Sequence, residues 1–223
     1  MKKESETNYK EHICLSCADC ALKSCMHKDT EHYPEFCLTK HVDKELLGQT
    51  KNLYIEDEEN KKLALVAAEI EGQFYGRMTR VEETIEFIKR TGAKKVGIAT
   101  CVGLLNEANI FAKILRSHGI DFYAVGCKIG AIEKSEIGIP KENTLTKGEK
   151  YESMCNPIMQ AKILNEQKTD VNVMIGLCVG HDALFLKYVE APTTVMIVKD
   201  RVTGHNPAVA LYTSNSIYSK LKK

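Results

Sequence analysis

Nine cysteines are the residues in this 223-residue chain best able to do chemistry, and they fall into two groups. Five crowd the stretch "CLSCADCALKSCMHKDTEHYPEFC" as Cys14, Cys17, Cys20, Cys25 and Cys37. Two thiolates spaced Cys-x2-Cys reach one ion, and a later pair completes a tetrahedron. Cys17, Cys20, Cys25 and Cys37 are the favoured set, with Cys14 the spare. The segment is polar and lacks clear periodicity, so burial alone cannot order it. Zinc is the first choice of metal. A [4Fe–4S] cluster comes second, because the run C-x2-C-x2-C-x4-C departs from the ferredoxin spacing and no Pro follows. His12, His27, His32 and His41 lie close by and could replace a cysteine, with exposure the favoured reading.

The other four cysteines follow a different logic. Cys101, Cys127 and Cys178 each end an apolar run, and Cys155 stands just before Asn156-Pro157. The step Cys-Val-Gly occurs twice, at 101–103 and at 178–180. Gly103 and Gly180 let the backbone turn sharply and leave room for a close neighbour. His181 and Asp182 follow Gly180, while Asp200, Arg201 and His205 follow the last apolar run. Soft thiolates at Cys101, Cys127, Cys155 and Cys178 suit an iron–sulfur cluster, zinc or another thiolate-bound metal. Alternatively, Cys178 is a nucleophile activated by a helix N-terminus, with His181 or His205 as its base. Histidine moves protons near neutral pH, and Arg201 is available for an anionic group. Each residue also has a plainer role: a strand-end Cys as a small buried apolar group, Asp182 favouring a helix dipole, Asp200 and Arg201 as a turn pair.

These residues need elements to position them. "KKLALVAAEIEGQFYG" puts Leu63, Ala67, Ile70 and Phe74 on one helical stripe. "TRVEETIEFIKRTG" opens with Thr79 and Glu82 in a capping-box pattern, carries Val81, Ile85 and Ile88 on one face, and ends at Gly92. "KKVGIATC", "DFYAVGC", "VNVMIGLC" and "TTVMIVKD" read as strands. They alternate with the helical segments "LLNEANIFAKILRSHG", "NPIMQAKILNEQ", "HDALFLKYV" and "NPAVALYTSN". This alternation predicts an α/β fold: an open, mostly parallel sheet with helices on both faces, Rossmann-like and three-layered. The expected division is a Cys-rich metal-binding N-terminal module, 1–42, organised over residues 12–40, and an α/β domain, 43–223. Both Asn156-Pro157 and Asn206-Pro207 read as helix starts, with Asn as cap and Pro at the first helical position. The segment 128–154 is too long for a bare connection and is the natural cover of a site beyond the carboxyl ends of the strands.

Composition narrows the function. Thirty-one basic and 30 acidic residues leave a net charge of +1, so neither nucleic acid nor an anionic membrane is expected as partner. No apolar run approaches about 18 residues, and "MKKESETNYKEH" lacks the apolar centre of a signal peptide. A cytoplasmic location and reduced thiols follow as expectations, with a small-molecule ligand as partner and the oligomeric state open. No P-loop, no strand-linked G-x-G-x-x-G and no G-x-S-x-G is present.

"CVGHDALF", "KDRVTGHNP" and "MCNPIMQAKILN", with the N-terminal cysteine cluster, resemble an uncharacterised metal-binding protein family, a domain of unknown function of anaerobic bacteria and methanogenic archaea. The resemblance runs from about Cys14 to Tyr212. It implies metal binding and an anaerobic, cytosolic setting, and brings no established reaction. Three functions follow in order: a redox-type enzyme or electron-transfer protein with a Cys-ligated metal or iron–sulfur site acting on a small molecule; a thiol enzyme using Cys178 with a His base; and a non-catalytic metal- or ligand-binding protein.

Overall fold

The computed structural model of the chain describes residues 15–222. Cys14 and His12 lie outside the described residues. The chain forms two compact units, Met1–Ala64 and Leu65–Lys223.

In the first unit, short 3-10 turns at Cys17–Asp19, Ser24–His27 and Thr30–His32 lead into helices α1 (Leu38–His41) and α2 (Lys44–Glu56). Helix α3 (Glu58–Phe74) begins here and continues past Ala64. Local caps order this stretch. Ser16 and Asp19 form a capping box around the first turn, and Asp43 accepts the N–H of Leu46 at 2.8 Å. No residue from 15 to 64 is buried. Such a segment has no hydrophobic core to draw stability from.

The second unit is built around four strands: β1 (Lys95–Thr100), β2 (Asp121–Gly126), β3 (Val171–Ile175) and β4 (Thr193–Ile197). All pairings are parallel, in the order β2-β1-β3-β4. The chain therefore steps to one side after β1, crosses back over β1 to reach β3, and continues outward to β4. Helix α4 (Arg80–Thr91) precedes β1. Helices α5 (Leu105–Ser117), α6 (Pro157–Glu166) and α7 (His181–Tyr188) make the crossovers, and α8 (Ala208–Tyr212) follows β4. Right-handed crossovers in opposite directions put α5 on one face and α6 and α7 on the other.

The core follows this division. Val96 and Ile98 of β1 and Val173 and Ile175 of β3 pack with Ile85 and Ile88 of α4 and Phe111 and Leu115 of α5. The alternate residues Ala99 and Met174 face the other way, packing with Ala161 and Leu164 of α6 and Phe185 of α7. This is the period of two that a strand imposes on its side chains. Both layers of helix and the sheet between them match the predicted three-layer α/β architecture.

Local signals explain the boundaries. Thr79 and Glu82 complete the predicted capping box on α4, and Gly92 ends the helix in the left-handed region at φ 69°. Asn156 caps α6 by accepting the N–H of Met159 at 3.1 Å, with Pro157 in the first turn. The second Asn-Pro step departs from the expected pattern. Pro207 itself occupies the cap of α8, no side chain caps it, and the helix is short.

Candidate thiol site at the carboxyl edge of the sheet

The strand order reverses between β1 and β3, and ligands of open α/β sheets bind in the crevice at such a point. Cys101 directly follows β1 and Cys127 directly follows β2. Main-chain bonds carry the sheet one residue beyond each strand: Cys101 N–H donates to Ile175 O at 3.1 Å, and Cys127 N–H to Thr100 O at 2.8 Å. The segment before α6 is drawn in beside them, since Asn156 N–H donates to Cys127 O at 2.7 Å. Cys101 and Cys127 are buried in the core on the α6–α7 side, and half-buried Cys155 packs against that cluster.

The turn Val102–Leu104 delivers main-chain donors to these sulfurs. Val102 N–H donates to Cys127 Sγ at 3.4 Å, and Gly103 N–H donates to Cys101 Sγ at 3.4 Å. A Cβ on Gly103 would stand 3.3 Å from Lys199 Nζ and 3.8 Å from Cys101 Sγ. Gly103 thus supplies space, and its backbone is not in the left-handed region. Gly180, at φ 83°, does need the conformation glycine permits. The two Cys-Val-Gly steps therefore use their glycines differently.

Electrostatics single out Cys155. Its pKa is lowered to about 5, first by the hydrogen bond with the Cys127 thiol and then by the charges of Lys128 and His181. Cys127 is pushed the other way, by that same pairing with Cys155 and by burial. One proton shared between two thiols stays on the buried Cys127, and the half-buried Cys155 becomes the thiolate. Lys128 is anchored by a hydrogen bond from its ammonium to Ser153 O.

Cys178 follows a different pattern. Its Sγ accepts a hydrogen bond from Arg201 Nη2 at 3.0 Å, and its carbonyl accepts the N–H groups of His181 at 2.9 Å and Asp182 at 3.1 Å. Asp182 Oδ1 accepts Gly180 N–H at 2.9 Å and Ala183 N–H at 2.8 Å, so this carboxylate closes the first turn of α7. His181 Nδ1 is buried without a hydrogen-bond partner. His205, at φ 69°, bends back on its own loop: Asp200 N–H donates to its Nδ1 at 3.1 Å, and its own N–H donates to Asp200 O at 2.8 Å. Asp200 is held below the ordinary carboxylate range by the Thr203 hydroxyl and the N–H groups of Thr203 and Val202. The structure thus brings Cys101, Cys127 and Cys155 together with Lys128 and His181, while Cys178 pairs with Arg201 and His205 with Asp200.

In the first unit, Cys17 opens the first 3-10 turn, Cys20 follows it, Cys25 lies in the second and Cys37 precedes α1. The N–H of Lys40 lowers the Cys37 thiol, assisted by Thr39. His32 Nδ1 contacts Asp29 Oδ2 at 2.7 Å, and His41 Nε2 contacts Glu35 O at 2.6 Å. Among the described residues, no three Cys, His, Asp or Glu side chains converge in a metal-holding arrangement.

The segment 128–154 is ordered by its own contacts. Glu133 and Ser153 form an antiparallel bridge near its ends. Glu152 accepts the N–H groups of Leu145 at 2.8 Å and Thr146 at 3.2 Å, and pairs with Lys134. Lys134 lowers the Glu152 carboxyl by hydrogen bond, and the neighbouring amides add to this. Two residues of the site carry weaker signals in the sequence. Lys128 directly follows a strand-end cysteine. Gln160, fully buried, shares a helical stripe with Pro157, Ala161 and Leu164, and a Gln in an apolar stripe marks a polar task. Its Nε2 donates to Thr100 O at 3.1 Å and Val125 O at 2.7 Å, fixing α6 against the ends of β1 and β2.

The chain belongs to the family described as protein of unknown function (DUF1847), whose sequence profile matches residues 37–196. An uncharacterized protein of Methanocaldococcus jannaschii is 48% identical over 199 residues, covering 89% of this chain and 94% of that protein. No solved structure matches the chain. Among the described residues, no helix is long and apolar enough to cross a membrane.

Proposed function

We propose that the carboxyl edge of the sheet is a thiol-based redox site acting on a small molecule, with Cys155 as the attacking group. The observation that carries this reading is the lowered Cys155 thiol beside Cys127, Lys128 and His181. A thiolate is the reactive form of cysteine, and one that is partly exposed beside cations has the microenvironment of reactive cysteines. His181 stands where a proton could be exchanged with the site. Residue-by-residue alkylation with iodoacetamide at neutral pH, followed by mass spectrometry, tests this assignment. Cys155 is expected to react ahead of Cys101, Cys127 and Cys178. Cys178 reacting first would move the nucleophile to the Arg201 pair.

A thiolate-bound metal on the same edge is the second reading. The orphaned, buried Nδ1 of His181 favours it, since a neutral imidazole nitrogen is a common metal ligand. The thiols of Cys101, Cys127 and Cys155 would have to draw together to supply the soft partners, since no three such side chains converge among the described residues. Anaerobic purification with metal and acid-labile sulfide analysis distinguishes the two. The N-terminal cysteines Cys17, Cys20, Cys25 and Cys37 are proposed to hold a separate structural metal, zinc first. Their unit has no buried residue in its described part, and a bound ion would supply the ordering that a core supplies elsewhere.

A further inference from the structure

Cys127 and Cys155 differ in a way the single-nucleophile reading leaves unused. Cys127 is 2% exposed, and Cys155 is only half-buried. The main chain holds them as neighbours: Asn156 N–H reaches Cys127 O at 2.7 Å, and Cys155 packs against the cluster that contains Cys127. Both are free thiols. A disulfide needs Cα atoms about 4.4–6.8 Å apart and side chains directed toward each other. The main-chain hydrogen bond between the two segments places the residues side by side. Both side chains belong to one cluster on the α6–α7 side of the sheet.

We infer that Cys127 and Cys155 form a working dithiol–disulfide couple that exchanges with a small disulfide, Cys155 attacking and Cys127 resolving. This rests on the reading of Cys155, the more exposed of the two thiols, as the attacking group. In the first step, Cys155 Sγ⁻ forms a bond to one sulfur of the small disulfide, whose S–S bond breaks to release a thiolate. The product is a mixed disulfide on Cys155. In the second, the Cys127 proton passes to the released thiolate or through His181, and Cys127 Sγ attacks Cys155 Sγ. The mixed disulfide breaks and the second small thiolate leaves. The small disulfide is reduced by two electrons and the protein dithiol is oxidised by two, giving one Cys127–Cys155 bond, one small thiol and one small thiolate. An external dithiol reverses the cycle.

The architecture suits these roles. An attacking thiol must meet its substrate, whereas a resolving thiol needs only to reach the mixed disulfide. Val102 N–H, 3.4 Å from Cys127 Sγ, stabilises that sulfur whenever it carries charge, which helps it attack and helps it leave during reduction. Asn156 N–H ties the Cys155 segment to Cys127, and Cys178 is held by Arg201, so Cys127 is the natural partner of Cys155.

The test uses the reduced full-length chain, glutathione disulfide as probe, rapid quenching with N-ethylmaleimide and peptide mapping. The expected result is a Cys127–Cys155 cross-link forming before any other, with two glutathione molecules released per bond. The Cys127→Ser variant should instead accumulate glutathione on Cys155. The Cys155→Ser variant should leave Cys127 unmodified over the same period. A stable glutathione adduct on wild-type Cys155 with no cross-link would overturn the couple while leaving Cys155 as nucleophile. A Cys101–Cys127 cross-link would overturn the pairing. First modification at Cys178 would overturn both the couple and the reading beneath it.

Discussion

The main-chain N–H of Val102 donates to Sγ of Cys127 at 3.4 Å, tying the turn that closes β1 to the thiol that closes β2. The bond exists because β1 and β2 are adjacent and in parallel register, with Thr100 opposite Gly126. The next residue on each chain then falls at the same height above the sheet. An amide at the opening of a helical turn is thereby aimed at a sulfur on the neighbouring strand.

Val102→Pro removes that donor with little backbone cost. Cys101, at φ −73° and ψ 140°, already has the extended conformation a following proline requires. Proline is also tolerated at the first position of a helical turn. The variant is expected to fold and to open its Cys127–Cys155 bond with dithiothreitol about fivefold more slowly, the worth of one hydrogen bond of about 1 kcal/mol. Stopped-flow or quench kinetics of reduction measure it. An unchanged rate would remove Val102 from the chemistry.

Gly176→Ala tests the packing that supports the site. Gly176 sits at φ 68°, and a Cβ there would come within 1.9 Å of Leu104 Cδ1, a side chain only 2% exposed. Leu104 cannot yield into a filled core without strain. Combined with the left-handed backbone, the substitution is expected to cost about 2–4 kcal/mol. Urea denaturation gives the value, and a loss below about 0.5 kcal/mol would mean the turn relaxes freely.

Glu152 holds the segment 128–154 together through Leu145, Thr146 and Lys134. Glu152→Ala should make this segment the first point of proteolytic cleavage. The Glu152 carboxyl has a lowered pKa, so its contribution is fully present above the unfolded value, about 4.3, and is lost as pH falls through the lower folded value. Acid should therefore reproduce the effect of the substitution in the wild-type chain. Limited proteolysis followed across pH 3 to 7, roughly the carboxylate range, checks the sign.

The N-terminal metal is tested by its ligands. Wild-type protein is expected to carry one tightly held ion, and Cys20→Ser or Cys25→Ser should lose it and open residues 15–40 to protease. Unchanged metal content in both variants would end the assignment.

The strands and crossovers were legible because hydrophobic periodicity is local: "VNVMI" alternates its burial between two cores, and the Thr79–Glu82 box sets the start of α4. The placement of Cys101 and Cys127 at the carboxyl edge was legible once the strands were assigned, since each directly follows a strand. Which cysteine carries the charge was not legible. That depends on pairings across the fold: Cys155 with Cys127 and Lys128, Cys178 with Arg201. His205 and Cys155 looked equivalent because both precede Asn-Pro, yet Asn156 caps a helix and Asn206 does not. Identical dipeptides separated in the tertiary contacts that follow them. Lys199 reaches Gly103 along a path that no sequence spacing encodes.

The central claim is that Cys155 is a thiolate at neutral pH, and the pH dependence of its alkylation tests that most directly. The rate of iodoacetamide labelling at Cys155, read peptide by peptide in the reduced protein, follows the thiolate fraction. A lowered pKa means the thiolate persists at neutral pH and is lost only on acidification. The rate should therefore be flat through pH 7 and fall with an inflection near pH 5. In Lys128→Met the inflection should move upward, because one of the cations that lowers it is gone. An inflection above about pH 8, where an unperturbed cysteine titrates, would contradict the account.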